Sequence, residues 1–548
     1  MASITIDGKT CQFEERQTIL QVALENDIEI PHYCFHPGLS IVASCRICLA
    51  EVAAPNPRND NRVELIPKLA PTCQHVASDG MKVYTRSPKS IANQTAVMEY
   101  LLINHPLDCP VCDQAGECHL QDYSYRYGRA QSRFLEDKVK QPTKDIGPHV
   151  KLYADRCILC SRCVRFCNEV TDTGEIGIFG RGNTEQIDIF PSRPLDNELS
   201  GNVVDICPVG ALLDKDFLFA QRVWFLQQTP SIDGLTASGD NIWIHHNEDR
   251  IYRIKPRPNL GVNKWWISDE IRYGWKFVHS NNRLHTPYRM HFGSQIEIDW
   301  AQALQFTCDQ LRSIVTENGP GSLALVASPM LACEEAYLLG KWVRGLDAQA
   351  TLAVGPIPTR GQDKTFRDHY TIRAEKCPNS RGVRRAVELL VPNDRDVLSD
   401  VALIDRLKDK KSSIAGVVVT GNYPNPWVDK SWIAAMSKKF LVLIDTLMND
   451  LATTAEVLLP GATWVEKSGT FENVSGRLQS FHRAIPQIEQ TRPEGQIALD
   501  LAAICGLTEP ATYNADQVRA EMGGVFVDQV HHPTQPATSA PDMVYVEL

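Results

Sequence analysis

The chain has 548 residues, 43% hydrophobic and 22% charged, with a formal net charge of −10. That length implies roughly three to four domains, and the acidic balance argues against a nucleic-acid binder. No run approaches about 18 uncharged apolar residues, so no membrane-spanning helix is expected, and a chain this long can bury large cores without needing disulfides.

The opening residues, MASITIDGKTCQFEE, lack both the basic-then-apolar layout of a signal peptide and the Arg-rich, acid-poor one of a transit peptide. A reducing compartment is therefore expected, in which 17 cysteines call for metal ligation rather than disulfides. Twelve of them fall into three groups within the first 207 residues.

In chain order, residues 3–7 alternate as a strand, a Gly-Lys turn leads to a second strand, and 18–28 has helical spacing with Thr18 as N-cap. The irregular stretch that follows holds Cys34, Cys45 and Cys48. A loop of this kind suits an iron–sulfur cluster, because its backbone N–H groups can point at the sulfurs. Cys73 supplies a fourth ligand after a polar, Pro-containing insertion, PNPRNDNRVELIPK, expected to be a surface loop. The spacing differs from the plant ferredoxin pattern, and a structural zinc site is the alternative. A Rieske centre needs two histidines; with four cysteines at hand, His36 and His75 read as bystanders.

Residues 90–104 read as an amphipathic helix delivering His105, which opens H-x3-C-x2-C-x5-C with Cys109, Cys112 and Cys118. Three thiolates and an imidazole make a compact cage for a soft metal centre. A 4Fe–4S cube fits, with the histidine shifting its potential and coupling it to pH; a zinc site of the same donors is the alternative. Next, Cys157, Cys160, Cys163 and Cys167 follow the bacterial ferredoxin run except for its closing proline, and the Cys-Pro pair appears instead at Cys207-Pro208. Cys157, Cys160, Cys163 and Cys207 are assigned to one cube; Cys167 reads as a buried spare thiol, with competition for the place of Cys207 as the alternative.

From about residue 296 helices and short apolar strands alternate, which argues a doubly wound, mostly parallel sheet. The sequence Gly319-Pro-Gly321-Ser-Leu-Ala324 has the wrong context for a dinucleotide fingerprint, since a helix precedes it and a strand follows. Residues 529–543 are polar and Pro-rich and read as an extended tail; the His531-His532 pair there is expected to lie at the surface rather than bind metal.

In MEYLLINHPLDCPVCDQAGEC, CILCSRCVRFC and ICPVGAL the chain closely resembles the large iron–sulfur subunits of respiratory complex I (the G-type, or 75-kDa, family of NADH–quinone oxidoreductase). The resemblance spans the first 215 residues and continues more loosely to about 506. It implies an α+β and α/β multidomain chain. A 2Fe–2S ferredoxin-like (β-grasp) domain occupies 1–89, a one-His-three-Cys 4Fe–4S segment 90–130, and a 4Fe–4S ferredoxin-like domain 131–217. A molybdopterin-oxidoreductase-type N-terminal region follows at 218–285, a degenerate molybdopterin-oxidoreductase-like α/β domain at 286–510, and a C-terminal tail at 511–548.

Related molybdopterin enzymes begin that fourth region with C-x2-C-x3-C-x27-C, and here the register falls on Asp233, Thr236, Asp240 and Ser268, so no cluster is expected there. The loops GNYPNP and LPGATWVEKSGTFENVSGRLQ resemble those lining a molybdopterin cleft, yet no molybdenum ligand is evident. Glu466, Thr470, Glu472, Asn473 and Arg477 are read as holding the fold.

The resemblance implies one 2Fe–2S and two 4Fe–4S clusters and no molybdenum cofactor, with FMN and NADH on a partner subunit. A ferredoxin-like 4Fe–4S subunit and other peripheral-arm subunits are the further partners. The chain would sit on the cytoplasmic face of a bacterial inner membrane, or the matrix side in an organelle, meeting the membrane only through its partners. The alternative is the iron–sulfur module of an NAD-linked formate dehydrogenase or hydrogenase, an order of domains these share. No catalytic residue is assigned, since electron conduction needs none.

Overall fold

A computed structural model describes residues 2–391 and 396–533. The chain forms two compact units. One holds the residues up to Leu226 together with Phe366–His369; the other holds Gln227–Thr365 and the chain from Tyr370 onward.

The first unit begins with the hairpin Ala2–Ile6 and Lys9–Phe13, in register Ile4 to Cys11. Lys82–Tyr84 runs parallel to its first strand, and Leu49–Asn56 pairs antiparallel with Lys82–Tyr84. The helix Ile19–Glu25 buries Ile19, Leu20, Val22 and Ala23. Its start is fixed by a capping box in which the Thr18 hydroxyl accepts from the Gln21 N–H and the Gln21 side chain accepts from the Thr18 N–H, a device worth about 1 kcal/mol. This is a β-grasp arrangement. The expected surface loop at 55–68 is instead a hairpin, because Arg62–Leu65 pairs with Leu49–Asn56. All four of its residues are exposed, so backbone pairing rather than an apolar face holds the register, and no hydrophobic pattern marks it in the sequence.

The helix Pro88–Leu102, begun by N-cap Ser87 and Pro88 at its first position, leads into the segment with His105. Beyond it, a three-stranded sheet of Thr143–Asp145, Val150–Tyr153 and Leu212–Asp214 meets the helix Asn202–Ile206, which packs on the helix Arg162–Glu169.

The second unit opens with three antiparallel strands, Gln227–Ile232, Asn241–Asn247 and Arg250–Pro256. An eight-stranded sheet follows. Its spatial order is Ser294–Glu297, Tyr288–His291, Val457–Pro460, Phe440–Asp445, Gly416–Thr420, Leu323–Ala327, Thr351–Val354 and Leu398–Ser399, and the last six are parallel. Both faces are covered. Leu323, Leu325 and Ala327 point into a core with the helices Trp300–Asn318, Cys333–Leu346 and Glu494–Ile504. Ala324 and Val326 point to the opposite core, against Leu403 and Trp432. That alternation with both sides buried is why these strands read as unbroken apolar runs. The turn at Gly319 and Gly321 needs φ of +80° and +86° and connects a helix to a strand.

Where a tail was expected from 511, the chain forms the helices Ala515–Met522 and Val525–Asp528, which bury Val518, Met522 and Phe526. His531 then bridges to Gln479 beside the strand Leu478–Phe481, and the Ser480 hydroxyl and the His532 Nδ1 lie 2.9 Å apart. Residues 534–543 of the Pro-rich segment lie outside the described residues.

Candidate iron–sulfur centres

The first four cysteines fall together at the rim of the β-grasp core. Cys34, Cys48 and Cys73 are each 1% exposed. The loop bends around them with Ala43 and Arg46 at φ of +49° and +58°. Their sulfurs sort into two hydrogen-bonded pairs. Cys45 lies 3.5 Å from Cys34, and its bond lowers the Cys34 thiol to about 5. Cys73 lowers Cys48 to about 7 in the same way. The partner thiols, Cys45 and Cys73, are pushed up by the same bonds and by burial; two pairs of sulfurs match two irons with two protein ligands each. His36 is engaged elsewhere, its Nδ1 accepting from the Gly38 N–H at 3.1 Å, and burial and Arg162 push the ring down to about 3.

Cys157, Cys160, Cys163 and Cys207 line a second, enclosed cavity with Ile187, Val209 and Leu212. Leu159 and Ser161 adopt φ of +51° and +59°, which turns the backbone around the site, and the Leu159 N–H points at the Cys157 sulfur, 3.3 Å away. Burial raises the thiols of Cys157, Cys160, Cys163 and Cys207. Cys167 lies one turn beyond Cys163 on the helix Arg162–Glu169, is fully buried, and does not line this cavity.

His105, Cys109, Cys112 and Cys118 line a third cavity. Burial, reinforced by Arg156, lowers the His105 ring to about 4, so it is neutral and able to offer a lone pair. Its Nδ1 is buried without a partner among the described residues, while the Arg156 backbone bonds the ring. That division between the two nitrogens is the usual one for a histidine ligand. Cys109 is exposed; Cys112 and Cys118 are buried.

Several residues that carry no ligand atom join these sites, and cysteine counting missed them. Arg165 donates from Nη2 to the Cys34 carbonyl at 2.5 Å and to the Cys160 carbonyl at 3.4 Å, so one guanidinium bridges ligand residues of the first two sites. Arg162 likewise donates to the carbonyls of Phe35 and Ile206, the neighbours of Cys34 and Cys207. The loop Cys207–Gly210 reaches the third site. The Pro208 carbonyl accepts from His119, and a Cβ on Gly210 would stand 2.2 Å from the Cys112 sulfur. The only sequence signal for these roles was Arg beside Cys in CSRCVRFC and Gly in the Cys-Pro-Val-Gly run.

In the second unit, the four positions without cysteines are buried and lie around one tyrosine. Asp233 receives the backbone N–H groups of Leu235 and Thr236 and the Ser238 hydroxyl. Tyr370 donates to Asp240 at 2.5 Å, and a backbone bond from Ser268 meets the same phenol. Oxygen donors bonded to one another replace sulfur here, and the residues do not fit a cluster.

The cleft-like loops are likewise engaged in structure. Glu466 pairs with Arg283 at 2.9 Å, and Thr470 bonds Glu334 at 2.7 Å. Glu472 pairs with Arg385, Asn473 bonds the Ser238 carbonyl, and the Arg477 backbone N–H donates to Asn473. The sheet reverses strand order between Leu323–Ala327 and Gly416–Thr420, where α/β sheets bind ligands. Met330, Cys377 and Tyr423 pack together there, and Tyr423 bonds the Pro356 carbonyl.

Five families match in the same order. Residues 1–88 match a 2Fe–2S iron–sulfur cluster binding domain, and 94–133 an NADH-ubiquinone oxidoreductase-G iron–sulfur binding region. Residues 147–213 match the ferredoxin-like domain of NADH-quinone oxidoreductase subunit 3, and 226–276 an NDSU1/NuoG-like 4Fe–4S domain, although this chain has no cysteine in that stretch. Residues 393–504 match molybdopterin oxidoreductase.

Among curated relatives, the G-type subunit of the NADH-quinone oxidoreductase of Rickettsia felis is 38% identical over 62% of this chain and 48% of its own length. The NADH-ubiquinone oxidoreductase 75 kDa subunit of Reclinomonas americana is 41% identical over 58% and 44%. The chain thus spans about half the length of these relatives. A solved chain of an NAD+-reducing [NiFe]-hydrogenase in the H2-reduced state is 26% identical, with a TM-score of 0.35 over 40% of this chain and 91% of that one. Over the matched length, the chain is a homologue of the G-type and 75-kDa subunits of NADH-quinone oxidoreductases, with 2Fe–2S, 4Fe–4S and molybdopterin-oxidoreductase-type domains in that order.

Proposed function

We propose that this chain is the electron-carrying iron–sulfur subunit of an NADH–quinone oxidoreductase. It would receive electrons from a flavin-bearing, NADH-binding partner and pass them toward quinone through a ferredoxin-like 4Fe–4S partner. The observation that carries this reading is the placement of the Cys157/Cys160/Cys163/Cys207 site. Arg165 joins it to the Cys34 site, and the Cys207–Gly210 loop joins it to the His105 site. We read the three donor sets as a series with that site in the middle.

Iron–sulfur groups supply reversible one-electron transfer when bound. Everything else is the chain's own work. Cys34, Cys45, Cys48 and Cys73 would hold a 2Fe–2S group; Cys157, Cys160, Cys163 and Cys207 one 4Fe–4S group; His105, Cys109, Cys112 and Cys118 another. Apolar side chains line the middle site, and the bridging arginines tie its segment to that of the first.

The third site is the one that reaches the surface. Cys109 is exposed, and Leu107 (84%), Phe219 (68%) and Trp224 (59%) stand out around a segment that Arg222 ties to the Cys112 carbonyl. That apolar rim suits a protein partner at the exit. In this reading the chain would meet the membrane only through its partner subunits, at the cytoplasmic or matrix face; no helix among the described residues is long and apolar enough to cross a membrane. The packed crevice at Met330, Cys377 and Tyr423 supports a second unit that works without a molybdenum cofactor.

The test is EPR of the dithionite-reduced chain, purified anaerobically. One 2Fe–2S and two 4Fe–4S signals are expected, with no NADH oxidation by the chain alone. Iron near the content of a single cluster, or bound molybdenum, would overturn the reading.

A further inference from the structure

Arg156 immediately precedes Cys157 of the middle site, yet its side chain lines the cavity of His105, Cys109, Cys112 and Cys118. It is 4% exposed. Two sides of its guanidinium are accounted for. Nε and Nη2 donate to Asp108 Oδ2 at 3.3 and 3.0 Å, and the plane lies 4.0 Å over the Tyr153 ring. The remaining nitrogen, Nη1, is buried and has no partner among the described residues. A buried N–H of a charged group left unpaired is costly and calls for an explanation, and here it lies in a cavity lined by four candidate metal ligands. The same cavity holds the unpartnered Nδ1 of His105.

We propose that Arg156 is a positioning and potential-setting residue of the His105 site, its Nη1 donating a hydrogen bond to a sulfur of the group held there. The proposal rests on the reading that this site holds a 4Fe–4S group. The reduced form of such a group carries one more negative charge than the oxidised form. A fixed cation hydrogen-bonded to a sulfur therefore favours the reduced form and raises the midpoint potential. Asp108 and Tyr153 hold the guanidinium so that it cannot turn away. The effect makes the third site a better electron acceptor than it would be without the guanidinium.

The experiment is a potentiometric EPR titration of the full chain, loaded anaerobically with iron and sulfide. His105→Cys marks which 4Fe–4S signal belongs to this site by altering it. Arg156→Gln is expected to lower that signal's reduction equilibrium about tenfold, 59 mV for one electron, and leave the other two midpoints in place. Arg156→Lys keeps the charge without the rigid fork and falls between. An unchanged midpoint in Arg156→Gln overturns the proposal. So does loss of the signal in both variants with the others intact, which would make Arg156 a packing residue. A wild-type chain with no His105-dependent signal would instead sink the underlying assignment, and this proposal with it.

Discussion

Burial lifts the Cys118 thiol to about 12 and Cys160 to about 11, so without a cluster these groups are protonated at neutral pH. Filling the sites must then release protons, and cluster binding is linked to folding of the loops that carry the thiols. Glycine matters as much as cysteine at one point. Gly210 lies so close to Cys112 that a methyl group would overlap the sulfur, with the Gln114 Cβ only 3.2 Å away. Gly210→Ala is expected to lose the His105-dependent 4Fe–4S signal while keeping the 2Fe–2S one, checked by EPR and iron analysis; a full set of signals would show that the loop has room to move. The candidate ligand sets were legible as candidates because thiols and imidazole carry their chemistry in their identity and spacing. Gly210, Arg156 and Arg165 were not, because their roles depend on which loops meet in three dimensions.

Elements buried on two sides were the readable ones. Strands such as Leu323–Ala327 and Gly416–Thr420 are apolar at every core position, whereas Arg62–Leu65 and the bridge at His531 are held by backbone bonds that leave no side-chain pattern. The turn from Asp233 to Asp240 shows how oxygen donors alone hold such an element together. Its carboxylates face Tyr370, Ser238, Glu270 and Arg373, with Lys376 paired to Glu270. Burial, then Asp233, raises Asp240 to about 7, and burial raises Asp233 to about 6. A carboxyl with a raised folded value binds its proton more tightly folded than unfolded. Its contribution is therefore greatest below about pH 4 and is lost as pH rises through 7. Asp240→Asn keeps the shape without the charge. Its urea midpoint should change less between pH 5 and pH 8 than that of the unaltered chain, by up to about 3 kcal/mol in stability. Equal slopes in both proteins would mean that the carboxylate is solvated or already ionised.

At the scale of the molecule, the two units divide the labour. All three donor sets lie in the first, whereas the second is closed around buried pairs such as Lys467 with Glu335 at 2.8 Å and Arg283 with Glu466 at 2.9 Å. Such pairs are costly to break singly, since the partner charge stays buried, and they account for a cleft-derived fold that persists with its crevice packed. Conduction should then depend on the first unit's serial order rather than on any one site alone. Cys207→Ser removes a ligand from the middle site without touching the other two, and Cys167→Ser is its control, a buried thiol outside the cavity. With Cys207→Ser, both the 2Fe–2S and the His105-dependent signals should still appear on full reduction. Freeze-quenched samples reduced through the 2Fe–2S site should show the His105-dependent signal rising at least tenfold later than in the Cys167→Ser chain, because electrons must cross the gap that the middle site spans. Equal rise times in the two variants would mean that the outer sites exchange electrons directly, and that the bridging by Arg165 and Gly210 serves packing alone.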